Sequence, residues 1–254
     1  MLASCRAIEA IAGIGHAFST RRSDAGDFDM GGAGPVSAAV RERRRRLVEA
    51  AGIDPAAAAV VLRQEHGAEV LRVADAPGDA PGDGALWVRA DGSKRSASVR
   101  TADCVPILIV DLQGRAAAAV HAGWKGTARG IASRAVEAMA GVGIDPADLL
   151  AALGPAILRC CYEVETPVLD RVAAACWDTP DLAEPAGAAG RVRLDLHAAN
   201  RAQLLRAGLA PARIHAAPWC TKCRGDLFFS YRRDGSAAGR HMAVVGPAAI
   251  EGPP

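Results

Sequence analysis

One cysteine and two histidines, in three unusual local contexts, are residues of this chain that could hold a metal ion. His66 lies in Arg-Gln-Glu-His-Gly (residues 63–67), Cys104 in Thr-Ala-Asp-Cys-Val-Pro (residues 101–106), and His121 begins His-Ala-Gly-Trp-Lys-Gly (residues 121–126). Imidazole nitrogen and thiolate sulfur are ligands that zinc favours in proteins. A metal bound by such residues would indicate an enzyme.

The spacing of Cys104 and His121 predicts that both side chains lie on one face of a β-hairpin. Two apolar runs, residues 105–111 and 116–121, flank a Gln-Gly turn signal. A two-residue connection places Cys104 opposite Gly123 and diagonal to His121, whereas a four-residue connection places it directly opposite His121. Opposed Cβ atoms lie roughly 4.5–5.5 Å apart and diagonal ones somewhat farther, which metal bonds of about 2.0–2.3 Å can bridge. Asp103 is expected on the other face or in a loop.

The segment that follows His121 predicts an anion site. Glycines flank Lys125, and a helix is expected to begin near Thr127, whose hydroxyl could cap it. Backbone N–H groups at a helix N-terminus and a nearby lysine attract anions, although a plain strand-to-helix turn has the same pattern. Lys125 is therefore a candidate phosphate ligand.

Arginines near the C-terminus are further candidates for phosphate or ribose contacts, because the guanidinium fork matches phosphate oxygens. They are Arg232, Arg233 and Arg240. An Asp-Gly pair between them also fits arginines at the surface beside a hairpin turn.

Several motifs together resemble those of the YfiH-type family. Besides the three contexts above, they are Leu-Gly-Pro-Ala-Ile (residues 153–157), Cys-Cys-Tyr-Glu-Val (160–164), Phe-Phe-Ser-Tyr-Arg-Arg-Asp (228–234) and Gly-Arg (239–240). The matches run in order from His16 to about Val245 and cover nearly the whole chain. Members of this family were long called multicopper polyphenol oxidases, or laccase-domain proteins, and are now considered purine nucleoside phosphorylases.

The resemblance implies that His66, Cys104 and His121 bind a catalytic zinc ion. Three protein ligands leave one position open, as is usual for catalytic zinc. The implied activities are phosphorolysis of adenosine, inosine, guanosine and methylthioadenosine, with phosphate attacking C1′ of the ribose, and deamination of adenosine. In deamination, zinc would activate water and Asp103 would shuttle the proton. Asp103, Cys104 and His121 are the candidate catalytic residues, and purine nucleosides and phosphate are the expected partners.

Two N-terminal segments depart from the family pattern. A stretch similar to Leu-Asn-Leu-Gly is replaced by Phe-Asp-Met-Gly at residues 28–31, and an arginine-rich run at residues 41–46 lacks the usual Asn. The departures leave the metal-ligand residues intact and concern substrate contacts, with Asp29 standing where the family has Asn. The arginine run itself predicts the solvated face of a helix.

Three other functions fit parts of the same pattern. The first is a copper oxidase of phenols, but laccase chemistry needs several coppers held by many histidines, and the six histidines here are scattered singly. The second is a cysteine hydrolase with Cys104 as nucleophile and His121 as base. The third is a zinc-stabilised interaction module without activity. Copper is the alternative to zinc as the bound metal.

Length and charge predict one domain over residues 1–254 with small-molecule partners. The chain has 254 residues, is 50% hydrophobic and carries a net charge of +2, so we expect no nucleic acid partner. The N-terminus lacks the apolar region of a signal peptide, and no stretch approaches the ~18 apolar residues of a membrane span. We expect a cytoplasmic protein without membrane contact.

Seven cysteines, an odd number, indicate free thiols rather than a disulfide framework. Cys220 and Cys223 form a Cys-x-x-Cys motif, which invites a redox or zinc interpretation. Because no second such motif or pair of histidines lies near in sequence, a structural role is favoured. The sequence likewise does not distinguish these interpretations for the adjacent Cys160 and Cys161.

The order of predicted elements indicates an α+β fold. Helices are predicted at residues 36–51, 127–140, 167–177 and 194–207, and strands at 60–62, 70–73, 105–110, 116–121, 149–153, 228–232 and 241–245. The family resemblance implies a layered α-β sandwich around mixed sheets.

Overall fold

Two β-sheets and the helices that cover them form the layers of this fold. The computed structural model describes residues 2–23, 26–32, 36–176 and 179–249. The strands are β1 (Leu2–Ala3), β2 (Ile14–Ser19), β3 (Arg22–Ser23), β4 (Gly26–Asp27), β5 (Ala58–Ala59), β6 (Val70–Arg72), β7 (Gly84–Val88), β8 (Arg95–Thr101), β9 (Val105–Asp111), β10 (Ala116–Ala122), β11 (Leu149–Leu153), β12 (Glu163–Glu165), β13 (Ala183–Pro185), β14 (Arg191–Leu194), β15 (Ile214–Ala216) and β16 (His241–Pro247). The α-helices are α1 (Arg6–Glu9), α2 (Ala38–Ala50), α3 (Trp124–Thr127), α4 (Ile131–Ala140), α5 (Thr166–Ala174), α6 (Leu196–Arg206) and α7 (Tyr231–Asp234).

Both large sheets contain parallel and antiparallel pairs. One has the order β1-β2-β16-β8-β5, and the other β15-β11-β9-β10-β7-β6. In the second sheet the outer pairs β11–β15 and β6–β7 are parallel, whereas the central pairs are antiparallel. The smaller sheets are β12-β14-β13 and β3-β4. The predicted mixed sheets are therefore confirmed.

Three apolar clusters define four layers. The first lies between the two large sheets and includes Phe18, Val99 and Leu108. A second covers the opposite face of the six-stranded sheet with residues of α4 and α6. The third packs α2, through Leu47 and other residues, against the outer face of the five-stranded sheet. The order helix, sheet, sheet, helix confirms the α+β layered sandwich.

The hairpin of β9 and β10 adopts the register expected for a two-residue connection. Val105 pairs with Ala122 and Pro106 pairs with His121. Continuing this register places Cys104 opposite Gly123 and diagonal to His121. The hairpin therefore presents the thiol and the imidazole on one face, at the end of the sheet.

Several predicted elements are confirmed and others are wrong. Residues 228–230 are not in a strand, because Phe228 and Phe229 are buried in a loop and Ser230 caps α7 by accepting from Arg233 N–H. Thr127 does not cap the helix after His121. It ends α3, and its hydroxyl bonds Asn200, while Gly130 precedes α4. Residues 60–62 are not a strand, and the predicted end of α5 at Trp177 lies outside the described residues.

None of the helices in the described part of the chain is long and apolar enough to cross a membrane.

Candidate metal centre

The three residues proposed as metal ligands converge at the end of the six-stranded sheet. Their donor atoms all lie within 4.8 Å of one another. The distance from Cys104 Sγ to His66 Nε2 is 3.9 Å, and the rings of His66 and His121 meet edge to face with centroids 4.8 Å apart. Since 38 residues of sequence separate His66 from Cys104, only the tertiary fold brings it there. The group could hold a metal ion.

Asp83 organises this group, although sequence reasoning did not identify it. Its carboxylate is buried and lies 2.7 Å from His121 Nδ1. The same carboxylate accepts hydrogen bonds from the backbone N–H groups of Glu65, His66 and Gly67, at 3.1, 3.0 and 2.6 Å. One side chain thus orients the His121 ring, leaving Nε2 toward the site, and fixes the loop that carries His66.

His66 has a backbone conformation that few side-chain-bearing residues adopt. Its φ is +58°, in the left-handed region. Consecutive N–H groups that converge on an anion form a nest, and here the anion is the Asp83 carboxylate. Arg129 also holds the loop by donating to the His66 carbonyl at 2.8 Å. The loop is therefore fixed for ligand binding before any metal enters.

The electrostatics of the centre favour a thiolate. Burial opposes ionisation of Cys104, but the charge of His121 and hydrogen bonds from His121 and His66 outweigh it and lower the thiol pKa to about 6. Burial lowers the pKa of His121, but the Cys104 thiolate and Asp83 outweigh it and raise the pKa to about 9. Burial likewise raises the pKa of Asp83, yet the bonds from His121 and the loop bring it below its usual value. Ionised thiolate is the form that binds metal.

Gly123 is required by space rather than by backbone conformation. Its φ of −76° suits any residue, but a Cβ there would lie 2.9 Å from Cys104 Sγ and 2.9 Å from His66 Cδ2. Gly123 stands opposite Cys104 in the hairpin register. Because it has no side chain, it leaves space for Cys104 and His66 to approach each other.

A cavity of about 550 Å³ opens beside the metal-ligand group. This volume is within the range of small-molecule sites. It combines aromatic rings, cations and one acid with the three metal-ligand residues. The lining residues are Gly32, Gln64, His66, Arg100, Thr101, Ala102, Asp103, Cys104, His121, Trp124, Ile157, Tyr162, Tyr231, Arg232 and Arg240.

Arg100 is a cavity residue that sequence reasoning also missed. It is 7% exposed, and its guanidinium donates to the carbonyls of Gly32 and Leu62, but its Nε has no partner among the described residues. Burial, with the nearby charges of Arg44 and Arg240, lowers the pKa of Arg100 to about 10. Arginines that repel one another at a cavity wall are suited to an anion.

Asp103 lies at the cavity wall and not on the hairpin face. Its φ is +88°, so the chain turns there before β9 begins. One carboxylate oxygen accepts from the Thr221 hydroxyl at 2.6 Å and the other from Arg232 N–H at 2.6 Å. Asp103 is therefore held rigidly toward the cavity, and its role as proton shuttle stays a prediction.

Of the four cationic residues proposed to bind substrate, two line the cavity and two do not. Arg232 and Arg240 line the cavity, the former stacked over the Tyr162 ring at 5.1 Å and the latter over Tyr231 at 5.9 Å. Lys125 is exposed, lies over the Trp124 ring at 5.7 Å and is not among the lining residues.

Arg233 also lies outside the lining set. It bonds the Asp234 carboxylate and the carbonyls of Thr221, Lys222 and Phe228, so its contacts hold the surrounding loops together. Substrate binding by Lys125 or Arg233 stays a prediction.

The N-terminal segment that departs from the family pattern is fixed next to the cavity. Asp29 accepts from the backbone N–H groups of Gly31 at 2.9 Å and Arg240 at 2.7 Å. Arg44 of α2 donates through Nε and an outer nitrogen to the Met30 carbonyl, at 2.9 and 2.6 Å. The arginine run is therefore only partly the solvated face that the sequence predicts, because part of it anchors this segment.

The other histidines do not contribute to the metal-ligand group. His16 and His241 accept backbone N–H groups, His197 bonds the Gly154 carbonyl, and His215 is exposed on β15. All six histidines lie in the described residues, and two of them meet at the site. A cluster of several coppers, each needing multiple imidazoles, has no place in this arrangement.

Comparison with known proteins assigns the chain to a family. Residues 16–248 match the family described as "Multi-copper polyphenol oxidoreductase laccase", and the chain belongs to it. A relative named purine nucleoside phosphorylase YlmD, from Geobacillus stearothermophilus, is 36% identical over 217 residues, which cover 82% of this chain and 78% of the relative. A second, named adenosine deaminase RL5, from an unidentified prokaryote, is 40% identical over 147 residues, covering 58% of this chain and 56% of the relative.

The fold is that of solved members. The crystal structure of YlmD from Geobacillus stearothermophilus matches with a TM-score of 0.83 and 33% identity, over 94% of this chain and 93% of the other. The resemblance to the YfiH-type family inferred from the sequence is thereby confirmed. The family's description refers to copper and phenols, whereas these two relatives are named for reactions of nucleosides.

Proposed function

We propose that this protein is a zinc-dependent purine nucleoside phosphorylase that also deaminates adenosine. Its substrates would be adenosine, inosine, guanosine and methylthioadenosine, with phosphate as the second substrate. The observation that carries the proposal is the placement of two imidazoles and a thiol at the wall of a cavity that also holds aromatic rings and arginines. The names of the relatives point to the same chemistry.

The donor set fits zinc. Two nitrogens and one sulfur at about 2.0–2.3 Å from a tetrahedral ion lie roughly 3.3–3.6 Å apart, so small side-chain movements complete a site with one open position. Asp83 supplies the carboxylate that such a histidine ligand usually has behind it. Zinc bound there would supply a Lewis acid beside the substrate.

Different residues of the cavity would bind the purine and the phosphate and transfer the proton. The rings of Trp124, Tyr162 and Tyr231 offer faces on which a purine can stack. Arg100 and Arg240 would bind phosphate, because two guanidinium groups in one wall match its charge and its oxygens. Asp103, fixed by Thr221, would receive or return the proton that deamination moves.

A cysteine hydrolase is the second candidate, because Cys104, His121 and Asp83 form a nucleophile, a base and an orienting acid. The thiol pKa near 6 suits a nucleophile. In that enzyme His66 would be dispensable and a metal would inhibit. Stoichiometric alkylation of Cys104 in metal-loaded protein would favour the hydrolase, and protection by zinc would favour the phosphorylase.

The test of the proposal is to incubate zinc-quantified protein with adenosine, with and without phosphate, and to separate the products by chromatography. Adenine and ribose 1-phosphate in equal amounts, formed only with phosphate, are expected. Inosine formed without phosphate is expected from deamination. Neither product from zinc-loaded protein would reject the proposal, and phenol oxidation proportional to bound copper would favour the oxidase instead.

A further inference from the structure

Four cysteines from two distant segments meet at one point away from the triad of His66, Cys104 and His121. Cys160 and Cys161 precede β12, while Cys220 and Cys223 follow β15, and all four sulfurs lie within 4.8 Å of one another. Cys223 Sγ is 3.3 Å from Cys161 Sγ and 3.8 Å from Cys160 Sγ. The pairs that looked isolated in the sequence are therefore partners.

The spacing of the sulfurs suits a tetrahedral metal. With zinc–sulfur bonds of about 2.3 Å, the sulfurs of a tetrahedral site lie roughly 3.8 Å apart. Four thiolates and a Cys-x-x-Cys spacing are typical of structural zinc, which keeps no open position. The four-cysteine cluster, meaning Cys160, Cys161, Cys220 and Cys223, thus differs in kind from the three-ligand group at the cavity.

We propose that the four-cysteine cluster binds a second zinc ion, which has a structural role. A metal there would join the segment that leads into Tyr162 to the segment that carries Thr221. The two are already linked, since Thr221 N–H donates to the Ala156 carbonyl at 2.9 Å. The binding of zinc by the cluster does not rest on the reaction assigned to the cavity, whereas the change in KM for the nucleoside given below does.

The joined segments build one wall of the cavity. Tyr162 lines it directly, and Thr221 holds Asp103 through its hydroxyl. The second zinc would therefore be a positioning element. Losing it would loosen the wall, raise KM for the nucleoside several-fold more than it lowers kcat, and lower the melting temperature.

The test is zinc stoichiometry in the full-length protein and in variants of either site. Two zinc ions per chain are expected in the wild type and one in the His66→Ala/His121→Ala variant, in which all four cysteines remain. X-ray absorption at the zinc edge of that variant should show four sulfur ligands at about 2.3 Å. The Cys220→Ser/Cys223→Ser variant should also hold one zinc, while Cys5→Ser, a half-buried cysteine outside the cluster, should hold two.

Three results would overturn the proposal. One is an absence of zinc from the His66→Ala/His121→Ala variant, and another is nitrogen or oxygen coordination of the zinc that it retains. The third is recovery of disulfide-linked peptides from the cluster in protein purified under reducing conditions and digested after blocking free thiols. The first variant leaves the cluster intact, so the test stands even if the cysteine variant does not fold. It needs no turnover, so failure of the phosphorylase proposal would be seen separately.

Discussion

Asp83 is the residue on which the geometry of the metal centre most depends, because it bonds both the His121 ring and the loop of His66. In Asp83→Asn, an amide NH2 group replaces one carboxylate oxygen. This group cannot accept a hydrogen bond from the N–H groups that it faces. We expect zinc affinity at the centre to fall by roughly 10–100-fold, as for other partners of metal-binding histidines. Competition with a chromogenic chelator measures it. Asp75→Asn, at an exposed loop position, is the matched control, and equal affinities in the two variants would refute this role.

Gly123 permits a second test at the level of single residues. Gly123→Ala would place a methyl group 2.9 Å from both Cys104 Sγ and His66 Cδ2, so one ligand must move. We expect loss of zinc from the centre with little loss of helix content by circular dichroism. Gly78→Ala introduces the same methyl group where nothing lies within 4 Å and should keep its zinc. Retention of zinc by both variants would show that zinc binding does not need the space at Gly123.

Asp83 and Arg100 show why single-residue roles were only partly predictable. Cys104 and His121 could be placed together because strand periodicity fixes faces within a hairpin. Asp83 lies between two glycines in a stretch that composition marks as a loop, and its four acceptor contacts arise from segments distant in sequence. Arg100 is buried by the N-terminal segment, which no local pattern indicates.

At the level of elements, α2 positions the segment whose sequence departs from the family pattern. Arg44 donates twice to the Met30 carbonyl, and Gly32, two residues further on, lines the cavity. Arg44→Lys keeps the positive charge but loses the guanidinium group, two of whose nitrogens donate to the Met30 carbonyl. We expect KM for phosphate to rise several-fold with zinc content unchanged, as steady-state kinetics would show. Arg45→Lys, on an exposed residue paired with Glu42, should behave as wild type, and identical KM values would exclude this anchoring.

The elements themselves were predicted where local pattern and tertiary packing agree. β11 was predicted with its observed bounds, and the hairpin in one of its two registers. β8 was missed because one of its faces carries polar residues although it is buried: Ser96 and Ser98 lie on that face and donate to backbone carbonyls of the neighbouring segment. The strand predicted at residues 228–232 is absent because its aromatic residues Phe228 and Phe229 pack around His241 and do not pair with another strand.

For the whole molecule, stacking of the two sheets creates the site. The six-stranded sheet ends in Cys104 and His121, and β8 of the five-stranded sheet brings Arg100 and Thr101 to the same cavity. Two of the metal-ligand residues and Arg100 thus come from different sheets. The family and its layered fold could be inferred from motifs, but this juxtaposition depends on packing.

Two buried histidines predict how the stability of the whole molecule depends on pH. Burial lowers the pKa of His16 and of His241 to about 4, and each Nε2 accepts a backbone N–H, which an imidazolium cannot do. Their folded pKa lies below the unfolded value of about 6.5, so their stabilisation is complete above pH 6.5 and is lost as the pH falls toward 4.

Between pH 6.5 and 5 the free energy of unfolding should fall by about 2 kcal/mol per histidine. Urea unfolding at each pH measures this fall in the free energy of unfolding. A chelator in the buffer removes the contribution of metal binding. His241→Gln keeps an acceptor for Phe229 N–H and should flatten the dependence, whereas His215→Gln, at an exposed position, should not. If His241→Gln left the pH dependence of the free energy of unfolding unchanged, His241 would not be one of its causes.

Zinc dependence of phosphorolysis is tested most directly by the rate of phosphate-dependent adenine release from adenosine while metal-stripped protein is titrated with zinc. We expect background activity without metal, and recovery in proportion to zinc bound at His66, Cys104 and His121. His66→Ala should remain at background, at least about 100-fold below wild type, since it loses one of three ligands, and the exposed His215→Ala should recover fully. Full activity in the stripped protein, or in zinc-treated His66→Ala, would show that the reaction does not need a metal at these residues.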